Sequence, residues 1–272
     1  MNRAAFSLRL GGALVTLVVG AAVLSLVWTP YRVGAIDVAH RLMAPSPAHW
    51  LGSDAFGRDI FTELIAGARV SLQVGLIAVG LGALLGVALG LFAAFAGGGI
   101  DDALARLADV TFAFPAILTA ILLTSRFGPG IVNAILAVAL VNVAIFARLA
   151  RACAKSVLAR DYIAAARLGG RGPLAIAVEH VLPNIAAALI VQATIQFAVA
   201  ILAEAALSYL GFGAQAPQAS WGRMLNEAQR QLYAAPWLAA PPGLAIALSV
   251  LGLNLLGDGL RDALDPKLAD RR

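Results

Sequence analysis

The sequence predicts an all-α, polytopic membrane protein with six transmembrane helices, and three observations carry that prediction. Of its 272 residues 61% are hydrophobic and only 13% are charged, with a mean hydropathy of +0.86, against roughly 45 to 50% apolar and about 25% charged in soluble domains. Six runs are free of charged side chains, at residues 10–31, 70–100, 110–125, 127–147, 180–203 and 231–257. Most approach or exceed the roughly 17 to 25 residues a helix needs to cross about 30 Å of hydrocarbon. The basic residues are also unevenly shared. With the N-terminus placed in the cytoplasm, segments 1–9, 97–113, 148–183 and 258–272 hold 13 of the 20 Lys plus Arg, the asymmetry that orients membrane proteins. The net charge of +5 therefore calls for no nucleic acid.

Each run has its own signature. The first follows Arg3 and Arg9 and could be a cleaved signal peptide, but it continues to Trp28 and Pro30. A secretory apolar region is shorter, about 7 to 15 residues, so a retained span is expected. The second carries Gly82, Gly86, Gly90 and Ala94 at four-residue spacing, a row of small residues that lets another helix approach closely. The third is short and contains Pro115, so its helix is expected to begin in the polar stretch before it. The fourth contains Asn133 and Asn142, and the sixth Asn254. In the fifth, Gln192 and Gln196 stand four apart on one helix face; they either bond a neighbouring helix or line a translocation path. Glu204, just beyond that run, is expected near the outer face, where water can solvate it.

The intervening segments exclude several activities. The outer excursion 30–69, the inner one 148–183 and a further outer segment 207–236 are each too short for an independent domain, so residues 1–272 read as a single transmembrane domain. Gly97, Gly98 and Gly99 lack the lysine and strand of a phosphate loop, so no nucleotide-binding unit is expected in this chain. His40, His49 and His180 are scattered and form no metal-ligand pattern, and no metal is assigned. The single Cys153 leaves no disulfide framework. No nucleophile, base and acid set is evident, and the runs lack the mid-membrane carboxylates of an ion-coupled carrier. Catalysis by this chain is not expected.

The inner segment from Arg160 reads RDYIAAARLGGRGPLAIAVEHVLPN. It predicts a helix starting at Asp161, a Gly169-Gly170 break, a second start at Gly172-Pro173 and a stop before Pro183. On its residues alone this could be an amphipathic surface helix. The segment resembles the cytoplasmic coupling loop of ATP-binding cassette importer permease subunits, E-A-A-x3-G-x9-I-x-L-P. Ala165, Ala166, Gly170, Leu182 and Pro183 are in register, while Ala164 replaces the glutamate and His180 the isoleucine. The outer segment HWLGSDAFGRDIF at 49–61, GARVSL at 67–72, EAALSYLGFG from Glu204, SWGRML at 220–225, APWL at 235–238 and NLLGDGLRDALDPK at 254–267 resemble the C-type permease subunit of the dipeptide, oligopeptide and nickel importers.

That resemblance implies a type I ABC importer permease fold in a bacterial inner membrane, with both termini cytoplasmic. It implies a second homologous permease chain as heterodimer partner, two ATPase subunits that bind the ATP and Mg, and a periplasmic or extracellular substrate-binding protein. This chain would hold no cofactor of its own. The coupling residues carried over are Ile163, Ala164, Ala165, Ala166, Arg167, Gly170, Leu182 and Pro183, and the substrate is a short peptide or, as the alternative, nickel or a metal chelate.

Overall fold

A computed structural model describes residues 3–264. Among them the fold is entirely helical, with α1 (Arg3–Val27), α2 (Ile60–Ala96), α3 (Gly98–Ala113), α4 (Ala116–Phe127), α5 (Ile131–Leu158), α6 (Asp161–Leu168), α7 (Pro173–Ile176), α8 (Leu182–Tyr209), α9 (Trp221–Gln229) and α10 (Ala240–Leu264). Short 3-10 turns sit at Val38–His40 and Pro236–Ala239, and a π-helical turn at Ala177–Val181 joins α7 to α8. Five helical stretches are long and apolar enough to cross a membrane, and a sixth crossing is made if the bent pair α3 and α4 counts as one.

That pair is where the third predicted span departs from a straight helix. α3 and α4 meet at 82°. Phe114, the residue before Pro115, is extended at φ −101°, ψ 110°, as the proline ring requires of its predecessor. The helix does begin earlier than the charge-free run, at Gly98.

Small residues set the helix spacing. A Cβ on Gly86 would stand 2.5 Å from the Val143 carbonyl oxygen, and one on Gly90 2.4 Å from that of Ala147. The row of the second run thus packs inside the chain, against α5. Gly11 and Gly252 play the same part between α1 and α10, where a Cβ on Gly11 would reach 2.4 Å from the Leu256 nitrogen. With α1 antiparallel to α10 in this contact, the described beginning and end of the chain lie at the same end as α6. The segments before α2, between α4 and α5 and between α8 and α10 gather at the opposite, far end: Gly130 N–H donates to the Phe212 carbonyl, and Arg58 pairs with Glu227.

Two boundaries differ from the sequence reading. Residues 60–69 of the 30–69 excursion already belong to α2, which starts because the Asp59 carboxylate accepts from Thr62 N–H at 2.8 Å, a helix N-cap. Pro183 does not stop a helix: it lies in the first turn of α8, continuous with the turn before it. A proline ring crowds the carbonyl four residues back. The π turn relieves this by widening the preceding backbone, with the Leu182 N–H reaching the Ala177 carbonyl. The last three residues of the 254–267 motif, Asp265, Pro266 and Lys267, lie outside the described residues.

Candidate functional site

At the α6 end, residues 161–183 run through α6, α7 and the π turn into α8, and Ile163 is the one buried residue of α6. Ile163 is 0% exposed and packs with Ala150, Ala154 and Val157 of α5 and with Ile176, Val181 and Ile185. The other predicted coupling residues point elsewhere: Ala164, Ala165, Arg167, Gly170 and Pro183 are exposed, and Ala166 and Leu182 half-buried. Ile163 therefore holds the helix in place while its neighbours offer a surface. Asp161 in the first turn and Arg167 in the last complement the helix dipole.

The helix ends in a Schellman turn. Arg171 N–H donates to the Ala166 carbonyl at 3.1 Å, Gly170 N–H to that of Arg167 at 3.0 Å, and Gly170 takes φ +81°, the left-handed conformation that glycine reaches without strain. Beyond it, Arg171 pairs with Glu179 at 3.1 Å, and the His180 ring stands edge-on to Tyr162, centroids 6.2 Å apart. His180, in the place of the motif's isoleucine, thereby braces α6 against the start of the long helix. Leu168 and Leu174 are 92% and 78% exposed, leaving an apolar surface with no partner among the described residues. From Pro173 to Tyr209 the chain is one 37-residue helical stretch, so α6 is tied to a rod that reaches the far end.

At the far end of that rod stands Glu204. It is 0% exposed, so the expectation that water solvates it is corrected: three serine hydroxyls do. Ser71 donates to Oε2 at 2.9 Å, and Ser208 and Ser220 to Oε1 at 2.7 and 2.8 Å. Ser208 in turn accepts from Ala214 N–H, which leaves its hydroxyl proton for the carboxylate. Charge-assisted bonds of this kind are the strong ones. They fasten α2, α8 and the segment before α9 at one point.

Beside it lies a buried charge cluster that the sequence motifs contained but their spacing could not assemble. Arg58 pairs with Asp54 and Glu227; Arg223 Nε lies 3.4 Å from Glu227 and its Nη2 3.9 Å from Glu63, while Glu63 accepts from Gly34 N–H at 2.7 Å. Burial opposes the charge on Arg58, but the Asp54 and Glu227 carboxylates outweigh it and hold the guanidinium above its ordinary pKa. The charged letters of GSDAFGRD and SWGRML thus tie the far-end segments to α2 and α9.

The two amides read either as a bond to a neighbouring helix or as path lining both lie on α8, where Gln196 is buried and Gln192 half-buried. An open cavity of about 650 Å³ lies at the far end, lined among others by Asn133, Gln215 and Gln218. Gln215 and Gln218 were missed because they sit in a loop whose approach to α5 is a tertiary event. Gln73 and Asn254 are exposed within α2 and α10. No group of His, Cys, Asp or Glu suited to a metal occurs among the described residues.

A bundle of five or six helical stretches long and apolar enough to cross a bilayer is the fold of a polytopic membrane protein. Residues 86–270 match the family described as the binding-protein-dependent transport system inner membrane component, and the chain belongs to that family. It is 49% identical over 230 residues to the dipeptide transport system permease protein DppC of Alkalihalophilus pseudofirmus, covering 85% of this chain and 76% of that one. It is 47% identical to a di/tripeptide transport system permease of Pseudomonas aeruginosa, covering 80% and 72%. A glutathione transport system permease of Pectobacterium atrosepticum is 45% identical, covering 82% and 74%. The fold is similar to that in an inward-facing structure of the MetNI methionine ABC transporter, with a TM-score of 0.62 at 18% identity over 74% of this chain and 96% of that one.

Proposed function

We propose that this chain is the permease subunit of an ABC importer that moves short peptides across the bacterial inner membrane, with both termini cytoplasmic. The observation that carries the reading is the mechanical connection at the α6 end. A short helix anchored by Ile163 and closed by Gly170 is braced to a continuous 37-residue rod. A push on α6 by a soluble ATPase is transmitted along α8 to the Glu204 junction at the far end, which links α8 to α2 and α9. The chain acts without catalytic residues or a cofactor of its own; ATP and Mg belong to two partner ATPases.

The exposed amides Gln73 and Asn254 support a second permease chain, because an amide within a span needs a partner helix or the water of a path. Peptide cargo is supported by relatives whose names specify dipeptide, di/tripeptide and glutathione transport. The open cavity with Asn133, Gln215 and Gln218 offers neutral amides of the kind that bond a peptide backbone. The test is uptake of a labelled dipeptide into proteoliposomes containing this chain, its partner permease and both ATPases, with the binding protein supplied on the opposite side. ATP-dependent accumulation is expected; uptake of nickel chelate but no peptide would overturn the substrate assignment.

A further inference from the structure

Two exposed indoles meet at the far end. Trp28, directly after α1, is 46% exposed and Trp50 55%, with ring centroids 6.5 Å apart. Phe61, in the first turn of α2, lies 5.0 Å from Trp50, so the three rings form one aromatic cluster. Trp50 stands on a fixed loop. The His49 carbonyl accepts from Ser46 N–H at 2.8 Å and Gly52 N–H at 2.9 Å, and the Tyr31 hydroxyl donates to the Ala48 carbonyl at 2.6 Å. The Tyr31 ring stacks on His49 at 4.7 Å, and His49 Nδ1 lies 2.9 Å from the Asp59 carboxylate that caps α2. The loop is thereby pinned to the end of α1 and the start of α2, with its tryptophan left exposed.

The depth of the cluster follows from α1. Arg9 is the last charged residue of that helix, and residues 10–27 rise about 27 Å at about 1.5 Å per residue, close to the roughly 30 Å of a hydrocarbon core. With Arg9 at one edge of that layer, Trp28 stands at the other. The loop beside it is equally suited to this depth. Residues 42–53 contain no Lys, Arg, Asp or Glu, and the ring of His49 is turned inward at 6% exposure.

We propose that Trp28 and Trp50 anchor the far end in the phospholipid headgroup layer, with residues 42–53 lying on the membrane surface. Indoles favour this layer because their apolar body and N–H donor are both accommodated there. The surface leading up to Trp28 is made for lipid rather than for another helix. Its exposed side chains are the bulky Val23, Leu24, Leu26 and Val27, while the small Ala22 and Ser25 are turned into the chain; helix pairs in membranes place their small residues at the contact. The anchor does not depend on what the bundle transports.

The test is quenching of tryptophan fluorescence by bromine on lipid acyl chains, using the full-length chain with the subunits that copurify with it, in phosphatidylethanolamine and phosphatidylglycerol liposomes. The signal lost between wild type and Trp28→Phe/Trp50→Phe belongs to these two indoles, whatever tryptophans the other subunits bring. Lipid brominated near the headgroup should quench at least about half of that difference signal, and lipid brominated near the chain end about twofold less. The single variants Trp28→Phe and Trp50→Phe should each remove part of the quenched signal. A difference signal untouched by either lipid would overturn the anchor, and quenching confined to Trp28 would lift the loop off the membrane. Quenching seen in the isolated chain but absent from the complex would assign both indoles to a subunit interface. Stronger quenching from the chain end would place the rings inside the hydrocarbon and overturn the anchor equally.

Discussion

The Ser220 hydroxyl donates to Glu204 Oε1 at 2.8 Å, and this bond joins the residue before α9 to the last turns of α8. With Ser71 and Ser208 it gives the carboxylate three donors in a site closed to water. Glu204→Gln keeps the shape but turns one acceptor into a donor, so at least one serine hydroxyl loses its partner at a cost of about 1 to 3 kcal/mol. Glu204→Ala strands all three and leaves a cavity besides. Thermal unfolding of the purified protein should rank wild type above Glu204→Gln and Glu204→Gln above Glu204→Ala. Equal Tm values for the three would remove the junction from the account of stability.

The packing of α2 on α5 makes a sharper distinction between two glycines six residues apart. A Cβ on Gly86 meets the Val143 carbonyl at 2.5 Å and Phe146 Cβ at 2.7 Å, whereas one on Gly80 meets nothing within 4 Å. Gly86→Ala must therefore push the helices apart, costing about 1 to 3 kcal/mol, while Gly80→Ala should be neutral or slightly stabilising through helix propensity. Thermal inactivation in detergent checks the pair. A tolerated Gly86→Ala would mean that α2 and α5 can slide apart without loss.

How much of this was legible depends on whether a feature is local. The glycine row, five of the six spans and the Gly170 turn are local patterns, and each appears where the spacing placed it, give or take the helix ends. The Pro115 break was visible as a weak span but not as an 82° bend, because the angle depends on what the two halves pack against. Glu204 was legible as an acid near a helix end; its three serines come from residues 71, 208 and 220 and converge only on folding. Pro183 misled because a proline usually ends a helix, and the π turn that accommodates it has no simple sequence mark.

Orientation is testable at two side chains with nearly complete exposure. Tyr233 at the far end and Leu168 after Arg167 are 104% and 92% exposed, whereas Trp221, despite lying at the far end, is 2% exposed and unsuitable for labelling. In a Cys153→Ala background, Tyr233→Cys should react with an impermeant maleimide added outside intact spheroplasts, and Leu168→Cys only after permeabilisation. The motive is the concentration of Lys and Arg at the α6 end. The reverse pattern would invert the proposed topology.

The proposed coupling role of α6 gives the last prediction. Gly170 holds φ +81° with no atom within 4 Å of a built Cβ, so a side chain there meets strain rather than a clash. For Gly170→Val the left-handed conformation costs about 1 to 2 kcal/mol, enough to unwind the Schellman turn and shift α6 while Ile163 still anchors it. Ala166 is half-buried, and Ala166→Trp places an indole beside that turn, where it blocks close approach of a partner. Both variants should reach the membrane and assemble with the second permease, yet lose ATPase binding or hydrolyse ATP without moving peptide. Ala164 is exposed and already lacks the glutamate of the motif it resembles, so Ala164→Ser should leave uptake within about twofold of wild type, since exposed substitutions change stability little. The measurements are ATPase copurification and the ratio of peptide imported to ATP hydrolysed. Normal values of both for Gly170→Val and Ala166→Trp would reduce α6 to a surface helix, because a transmitting element cannot be bent and blocked without altering what it transmits.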